Sequence, residues 1–239
     1  MRVAVVSDIH GNLAALDAVL EAVDARAPEA LWCLGDLVGY GARPNECCAA
    51  VRERAAVCLA GNHDLAVRGT IDLLDFSGDA GVAARWTRTV LDAENLDFLN
   101  GLDTQGRADG VELYHGSARD PVWEYVLSDD VAADTFARTE APVLLVGHSH
   151  VALHASSRGR GGLAPAGTRL ELNGARHLLN PGSVGQPRDG DPRAAWLDLD
   201  LGARTATYER VQYDVARAQA EIREAGLPEP LARRLESGQ

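Results

Sequence analysis

What most constrains the fold of this 239-residue chain is a recurring order of residues. A short apolar run ends in Asp, Asn or His, and it does so five times between residues 3 and 150. Val3-Ala4-Val5-Val6 runs into Ser7-Asp8-Ile9-His10, and residues 30–34 run into Gly35-Asp36. Residues 56–60 precede Gly61-Asn62-His63-Asp64, residues 111–114 precede His115-Gly116, and residues 143–146 precede Gly147-His148-Ser149-His150. A short apolar run without alternation reads as a strand buried on both faces. The polar residues then stand where each strand leaves the core. In open α/β sheets chemistry collects beyond the carboxyl ends of the strands. Five such ends therefore describe one site drawn from separate parts of the chain.

The intervening segments supply helices. Leu13, Leu16, Val19, Leu20 and Val23 recur at helical spacing over residues 12–26, with Asn12 as the N-cap. Residues 44–54 read as a second helix with Pro44 in its first turn. A β-α-β-α-β opening predicts parallel strands joined by right-handed crossovers. Residues 65–101 read as a helical excursion, and its less apolar stretch 72–81 is placed to flank the site. From residue 104 strands predominate, at 104–108, 111–114, 143–146 and 151–156. A helix over 129–138 interrupts them; Ser128 caps it, and Asp129 and Asp130 suit its positive end. Residues 156–173, rich in Gly, read as hairpin loops, and 194–210 as a hairpin turned at Gly202. A C-terminal helix is expected from about residue 213, with a short helix or frayed tail after Pro228. The ligand-bearing segments run on without a linker, which predicts a single domain over residues 1–239.

Composition narrows the function. The chain is 46% hydrophobic and 24% charged, enough for a sizeable core. Its net charge of -12 repels phosphate backbones and argues against nucleic-acid binding. A small phosphorylated substrate is compatible, because bound cations supply local positive charge. Cys33, Cys47, Cys48 and Cys58 form no Cys-x-x-Cys pair and read as small buried hydrophobes. No apolar run approaches the roughly 18 residues that span a bilayer. The first residues read as a strand rather than a leader. A cytoplasmic protein with no membrane partner is expected, and nothing in the sequence sets an oligomeric state.

Asp8, His10, Asp36, Asn62, His115, His148 and His150 offer carboxylate, carboxamide and imidazole without thiolate. These are the donors of a hard or borderline divalent ion. Seven ligands are too many for one open catalytic ion and suit two ions sharing a carboxylate. Paired ions stand roughly 3.5–4 Å apart and clamp the attacking and leaving oxygens of a phosphoryl displacement. They also lower the pKa of bound water, so that metal-bound hydroxide is available as nucleophile near neutral pH. His63, beside Asn62, is expected to point elsewhere on extended backbone and to protonate the leaving oxygen as general acid. Asp64 is expected to orient that imidazole and raise its pKa.

In order and spacing, Asp8-Ile9-His10, Gly35-Asp36-Leu37-Val38-Gly39, Gly61-Asn62-His63-Asp64, His115 and Gly147-His148-Ser149-His150 resemble the motif set of the calcineurin-like metallophosphoesterases. The resemblance covers residues 1 to about 200. Asn180-Pro181-Gly182-Ser183-Val184-Gly185-Gln186-Pro187-Arg188 is similar to a loop of that superfamily's small bacterial phosphodiesterase branch. The resemblance implies an α/β fold, the four-layer α/β/β/α sandwich. It implies one metal on Asp8, His10, Asp36 and His150, and another on Asp36, Asn62, His115 and His148. Two divalent ions are expected, Mn first, with Fe, Zn or Ni compatible. Ser/Thr protein phosphatases and bis-nucleoside tetraphosphatases of the family carry Asp-Arg-Gly where this chain has Val38-Gly39-Tyr40-Gly41. The missing Arg points away from both activities.

The expected function is a metal-dependent phosphodiesterase acting on a small phosphate ester or nucleotide. Alternatives are a cyclic nucleotide phosphodiesterase, a phosphomonoesterase, a protein phosphatase and a non-catalytic scaffold of the same fold, as in a eukaryotic retromer subunit. Retention of His63 with every ligand argues against the scaffold. Arg188, in a Pro/Gly loop, is a candidate for holding phosphate. Asn180 and Ser183 read as turn-makers, and Tyr40 as packing against the second helix. His154 and His177 read as ordinary strand or surface histidines, and Asp129-Asp130 as helix-start chemistry alone.

Overall fold

Strand β1 (Arg2–Val6) shows how the layers arise in the computed structural model, which describes residues 1–76 and 78–239. Ser77, inside the stretch 72–81, lies outside the described residues. Val3 and Val5 belong to one hydrophobic cluster and Ala4 and Val6 to another, all four fully buried. Successive strand side chains point to opposite faces, so a strand apolar at every position must be covered on both. Helix α1 (Leu13–Arg26) returns the chain to β2 (Ala30–Cys33), and α2 (Pro44–Arg54) to β3 (Ala55–Cys58). The three strands pair in parallel, as expected. Asn12 caps α1, its Oδ1 accepting from the Ala15 N–H at 3.1 Å.

Helices α3 (Asn62–Arg68), α4 (Gly78–Val90) and α5 (Ala93–Asn100) form the excursion, which begins at Asn62 rather than at residue 65. Strands β4 (Gln105–Ala108) and β5 (Val111–Tyr114) follow, then α6 (Asp129–Arg138) and β6 (Val143–Leu145). Next come β7 (Ala152–Ser156), β8 (Gly159–Leu163), β9 (Arg169–Glu171) and β10 (His177–Pro181). The hairpin β11 (Ala194–Asp200) and β12 (Thr205–Val211) leads to α7 (Val215–Glu224) and α8 (Glu229–Arg233). No described helix is long and apolar enough to cross a membrane.

Among the described residues two six-stranded sheets result, ordered β3-β2-β1-β11-β12-β9 and β4-β5-β6-β10-β7-β8. Val3, Val5, Trp32 and Leu34 of the first meet Val111, Leu113, Val143 and Leu145 of the second in a shared core. Ala4, Val6 and Cys33 face outward onto Leu16, Val19 and Cys47 of α1 and α2. Leu144 and Leu178 of the second sheet face outward onto Ala132 and Phe136 of α6. This is the expected α/β/β/α sandwich.

Residues 156–173 are a correction, since β8 and β9 lie where loops alone are expected. Strand β8 is exposed along its length and pairs with β7 at the sheet edge, so it has no core-facing pattern to announce it. Strand β10 is unannounced for another reason. It is fully buried between β6 and β7, but His177, Asn180 and Pro181 break up its apolar pair Leu178-Leu179. Asp129 does more than start a helix: its Oδ1 accepts from the Gly161 N–H at 2.8 Å and ties β8 to α6.

Candidate metal centre

The loops that follow β1, β2, β3, β5 and β6 meet in one place, stitched by their own backbones. The Asp8 N–H donates to Gly35 O (3.0 Å), His10 N–H to Asp36 O (2.9 Å) and Gly147 N–H to His115 O (2.9 Å). The His148 N–H reaches across from the second sheet to the Asp8 carboxylate at 3.2 Å. Ser183 Oγ donates to Asp8 O at 2.7 Å, and Asn180 Nδ2 to Gly147 O at 2.7 Å. Both are turn-makers, as expected, and the turn they make braces the first and last ligand loops.

Asp8, His10, Asp36, His148 and His150 all take left-handed backbone, with φ between 51° and 63°. That region is uncommon outside glycine, though Asp and His are enriched in it. It costs on the order of 1–3 kcal/mol per residue where surroundings enforce it. Gly61 is needed for close approach, because a Cβ there would run into the Asp36 carboxylate and the His115 ring.

Asp8, His10, Asp36 and His150 bring one ligand atom each within 4.8 Å of one another, and Asp36, His115 and His148 do the same. Asp36 belongs to both groups, and all six residues are buried. Backbone carbonyls fix what each imidazole offers. His10 Nδ1 lies 3.0 Å from Val38 O, and His150 Nδ1 lies 2.6 Å from Gln186 O. Each contact calls for a proton on Nδ1, so the neutral rings carry lone pairs on Nε2. Those two Nε2 atoms lie 3.0 Å apart. Facing lone pairs repel unless a cation or a proton stands between them.

His115 is held likewise, with Nδ1 at 2.9 Å from Leu34 O and Nε2 at 3.3 Å from Asn62 Oδ1. His148 is reversed, giving Nε2 to Trp123 O at 3.2 Å, which leaves Nδ1 as its free ligand atom. Carbonyl-held imidazoles are the usual supporting arrangement of metal ligands. Asp8 Oδ1 and Asp36 Oδ2 are buried without hydrogen-bond partners among the described residues, 3.5 to 4.0 Å from the neighbouring Nε2 atoms. Ligands about 2.1 Å from one ion, at tetrahedral to octahedral angles, lie about 3.0–3.4 Å apart. The cluster is near that spacing, and its oxygen and imidazole donors fit a divalent cation.

The charges respond to burial and to one another. Burial pushes the Asp8 carboxyl up to about 7. Burial also opposes ionisation of Asp36, yet the positive charge of His115 and His63 holds it well below the usual carboxylate range. Burial works against a proton on His115, but the Asp36 carboxylate overcomes it and raises the imidazole to about 9. Burial lowers His148 to about 3 and holds His10 and His150 well below an ordinary imidazole.

Asn62 and His63 stand on the first turn of α3, not on the extended backbone expected. Their side chains diverge by the roughly 100° per residue of a helix. The His63 ring packs on Tyr40, His10 and Phe76, with centroids 4.4 to 4.8 Å away, and its Nδ1 has no partner among the described residues. Burial lowers it to about 4, with Asp36 opposing, so the raised pKa expected from Asp64 is absent.

Asp64 is a further correction. Its carboxylate accepts from the N–H groups of Leu37 (3.0 Å), Val38 (3.2 Å) and Gly61 (2.9 Å), not from the imidazole. Because α3 opens at Asn62, Asp64 is its third residue and reaches back to the N-cap. It clamps the Asp36 loop to the Asn62 loop. Tyr40 also departs from expectation, lying against His10 (4.7 Å) and beneath the Arg188 guanidinium (5.7 Å) rather than simply against α2.

Arg188 reaches the site. Its Nη2 donates to Gln186 Oε1 at 2.9 Å and to the Tyr40 hydroxyl at 3.3 Å. It lines a cleft of about 220 Å³ with Asp36, Asn62, His63, Trp123 and Tyr125. His154 and His177 line none of it. The aromatic wall of this cleft, Phe76, Trp123 and Tyr125, goes unmarked in the sequence. Tyr125 stacks on His148 with centroids 4.3 Å apart, and Trp123 meets Phe76 at 5.5 Å. Trp123 and Tyr125 remain 39% and 43% exposed. The only available signal was two aromatics close together in an aperiodic stretch, in a chain that is 5% aromatic.

Known proteins share this architecture. The family model for the calcineurin-like phosphoesterase superfamily domain matches residues 1–202. An uncharacterized protein of Methanocaldococcus jannaschii is 38% identical over 238 residues, covering 98% of this chain and 96% of that protein. The crystal structure of a metallophosphoesterase from Sphaerobacter thermophilus superposes with a TM-score of 0.91 at 41% identity, covering 100% of this chain and 99% of that one. A hypothetical protein from Pyrococcus horikoshii has the same fold, with a TM-score of 0.83 at 23% identity over 100% of this chain and 98% of that one.

Proposed function

The chain belongs to the calcineurin-like phosphoesterase superfamily and is a phosphate-ester hydrolase, and within that class we propose that it is a phosphodiesterase for a small phosphate ester or nucleotide, working with two divalent cations, Mn foremost. One cation is assigned to Asp8, His10, Asp36 and His150, the other to Asp36, Asn62, His115 and His148. The observation that carries this is the pair of Nε2 lone pairs facing each other at 3.0 Å, beside a carboxylate common to both ligand groups. Bound there, divalent ions polarise a phosphoryl oxygen and make a nucleophile available at neutral pH.

The chain's own residues do the rest. Arg188, whose Nε is buried without a partner, offers its guanidinium to phosphate oxygens. His63 gives a proton to the leaving oxygen. No carboxylate occupies its ring, and a phosphate anion in the cleft adds negative charge beside it, which raises its affinity for a proton. The half-exposed rings of Trp123 and Tyr125 favour a diester over a monoester, since a second ester arm covers apolar surface that a monoester leaves in water.

Metal-stripped protein given back Mn is the material for the test. It is expected to hydrolyse bis(p-nitrophenyl) phosphate with a higher kcat/KM than p-nitrophenyl phosphate and to act poorly on phosphoproteins. Preference for the monoester, or robust phosphoprotein turnover at low enzyme concentration, would sink the diesterase reading.

A further inference from the structure

Guanidinium groups of this acidic chain are commonly spent on carboxylates: Arg2 on Asp198, Arg26 on Glu209, Arg210 on Asp189, Arg223 on Glu229. Two beside the metal centre are arranged differently. Arg188 and Arg234 both donate to one neutral oxygen, Gln186 Oε1, at 2.9 Å and 3.2 Å. Their other partners are the Tyr40 hydroxyl for Arg188 and, at 2.7 Å, the main-chain oxygen of Gln239, the last residue of the sequence, for Arg234. Among the described residues no Asp or Glu side chain pairs with either, and the Arg188 Nε is buried with nothing to donate to.

The pair is held in place rather than loose. Gln186 is buried, and its main-chain carbonyl oxygen accepts from the His150 imidazole Nδ1, so one residue connects His150 to both guanidiniums. Arg234 follows α8 directly, and that end of the chain is packed onto the body through Ile222, Leu231 and Leu235 against Ala14 and Ala83. Burial and the neighbouring charge of Arg188 lower the pKa of Arg234, against the opposing pull of Tyr40 and Asp79. Two cationic forks converge on one neutral acceptor, Arg188 has no carboxylate partner among the described residues, and a phosphoryl group matches their geometry.

We propose that Arg188 and Arg234 form a second anion subsite beside the metal centre, which takes a phosphoryl group of the substrate other than the one cleaved. Arg188, which lines the cleft, is shared between the two phosphates, and Arg234, which does not, belongs to the second alone. The substrate class is then a phosphodiester bearing an additional phosphate. This rests on the diesterase reading for the position of the cleaved ester. No bond changes at the subsite.

The test compares wild type with Arg234→Gln and Arg234→Lys, as full-length chains of confirmed fold. The substrates are thymidine 5′-(p-nitrophenyl phosphate) with and without a 3′-phosphate. Wild type is expected to favour the 3′-phosphorylated ester about tenfold in kcat/KM, through KM; the loss of one such charge-assisted contact is worth at least that. Arg234→Gln is expected to abolish the preference, and Arg234→Lys to restore part of it. Equal losses on both esters would overturn the subsite, because Arg234 would then act only by propping Arg188.

Calorimetric titration of inorganic phosphate into the metal-stripped chains supplies a readout independent of turnover. Wild type is expected to bind about tenfold more tightly than Arg234→Gln, and equal binding would overturn the subsite. If no form hydrolyses either ester, the diesterase reading fails, and the phosphate titration alone decides the subsite in the same two ways.

Discussion

The two ligand groups that share Asp36 are built differently. Asp8, His10 and His150 add a second carboxylate to Asp36, and Tyr40 and the His63 ring lie against His10. His115 and His148 add only imidazoles, with the neutral Asn62 carboxamide oxygen 3.3 Å from His115 Nε2, and the neighbour of His148 is the half-exposed ring of Tyr125. A divalent ion gains more from two carboxylates than from one that it shares. Under the two-cation proposal the first group is the tighter anchor. The second group, on the aromatic side of the cleft, is the weaker one and the one that meets substrate.

The largest expected effect breaks catalysis without disturbing either group. His63→Ala keeps the metal content yet should lose about 10²–10⁴-fold in kcat/KM on alkyl phosphodiesters, the usual contribution of general acid catalysis. The loss should be much smaller with p-nitrophenolate, which departs without a proton. An equal loss on both leaving groups would make His63 a stabiliser of transition-state charge instead.

A smaller effect falls on the joint between the groups. Asp64→Ala strips the acceptor from three N–H groups in the loops that carry Asp36 and Asn62. Each orphaned buried donor costs about 1–3 kcal/mol. For a chain of this length each kcal/mol lowers Tm by about 2–4 °C. Asp64→Asn, which keeps one acceptor oxygen, should fall less. A variant with wild-type Tm and selectively weakened alkyl-ester cleavage would return Asp64 to the role of orienting His63.

The smallest effect sharpens the contrast by protons. At pH 8 the Asp8 carboxyl, at about 7, is mostly ionised, whereas His115, at about 9, still carries a proton in the metal-free site. A cation entering the second group must displace that proton. The heat of the weaker binding step at pH 8 should therefore vary with the ionisation enthalpy of the buffer, and that of the tighter step much less. Two steps with the same buffer dependence would contradict the assignment of the proton to His115.

What the sequence disclosed and what it hid follow from the range over which each feature is determined. The convergence of Asp8 and Asp36 was legible because each ends a strand whose apolar run is itself a local signal, and the four layers follow from the same two-faced burial of β1 and β2. Asp64 was misread because its role depends on α3 starting at Asn62, and a helix start on the polar run Asn62-His63-Asp64 leaves no apolar period to mark it. Tyr40 and the exposed aromatics Trp123 and Tyr125 belong to loops whose course is set by the packing of distant segments. Arg234 was invisible for the same reason: its neighbour Gln186 lies in the loop after β10, a strand that polar residues conceal.

The sharing of Asp36 is tested most directly by titrating metal-stripped protein with Mn and following both the stoichiometry and the electron paramagnetic resonance spectrum. Wild type is expected to take up two ions per chain in distinguishable steps, with the signature of a magnetically coupled pair appearing only as the second binds. Asp36→Asn should weaken both steps and abolish the coupled signal. One ion per chain, or two uncoupled ions that bind Asp36→Asn as well as wild type, would contradict a centre built on a common carboxylate.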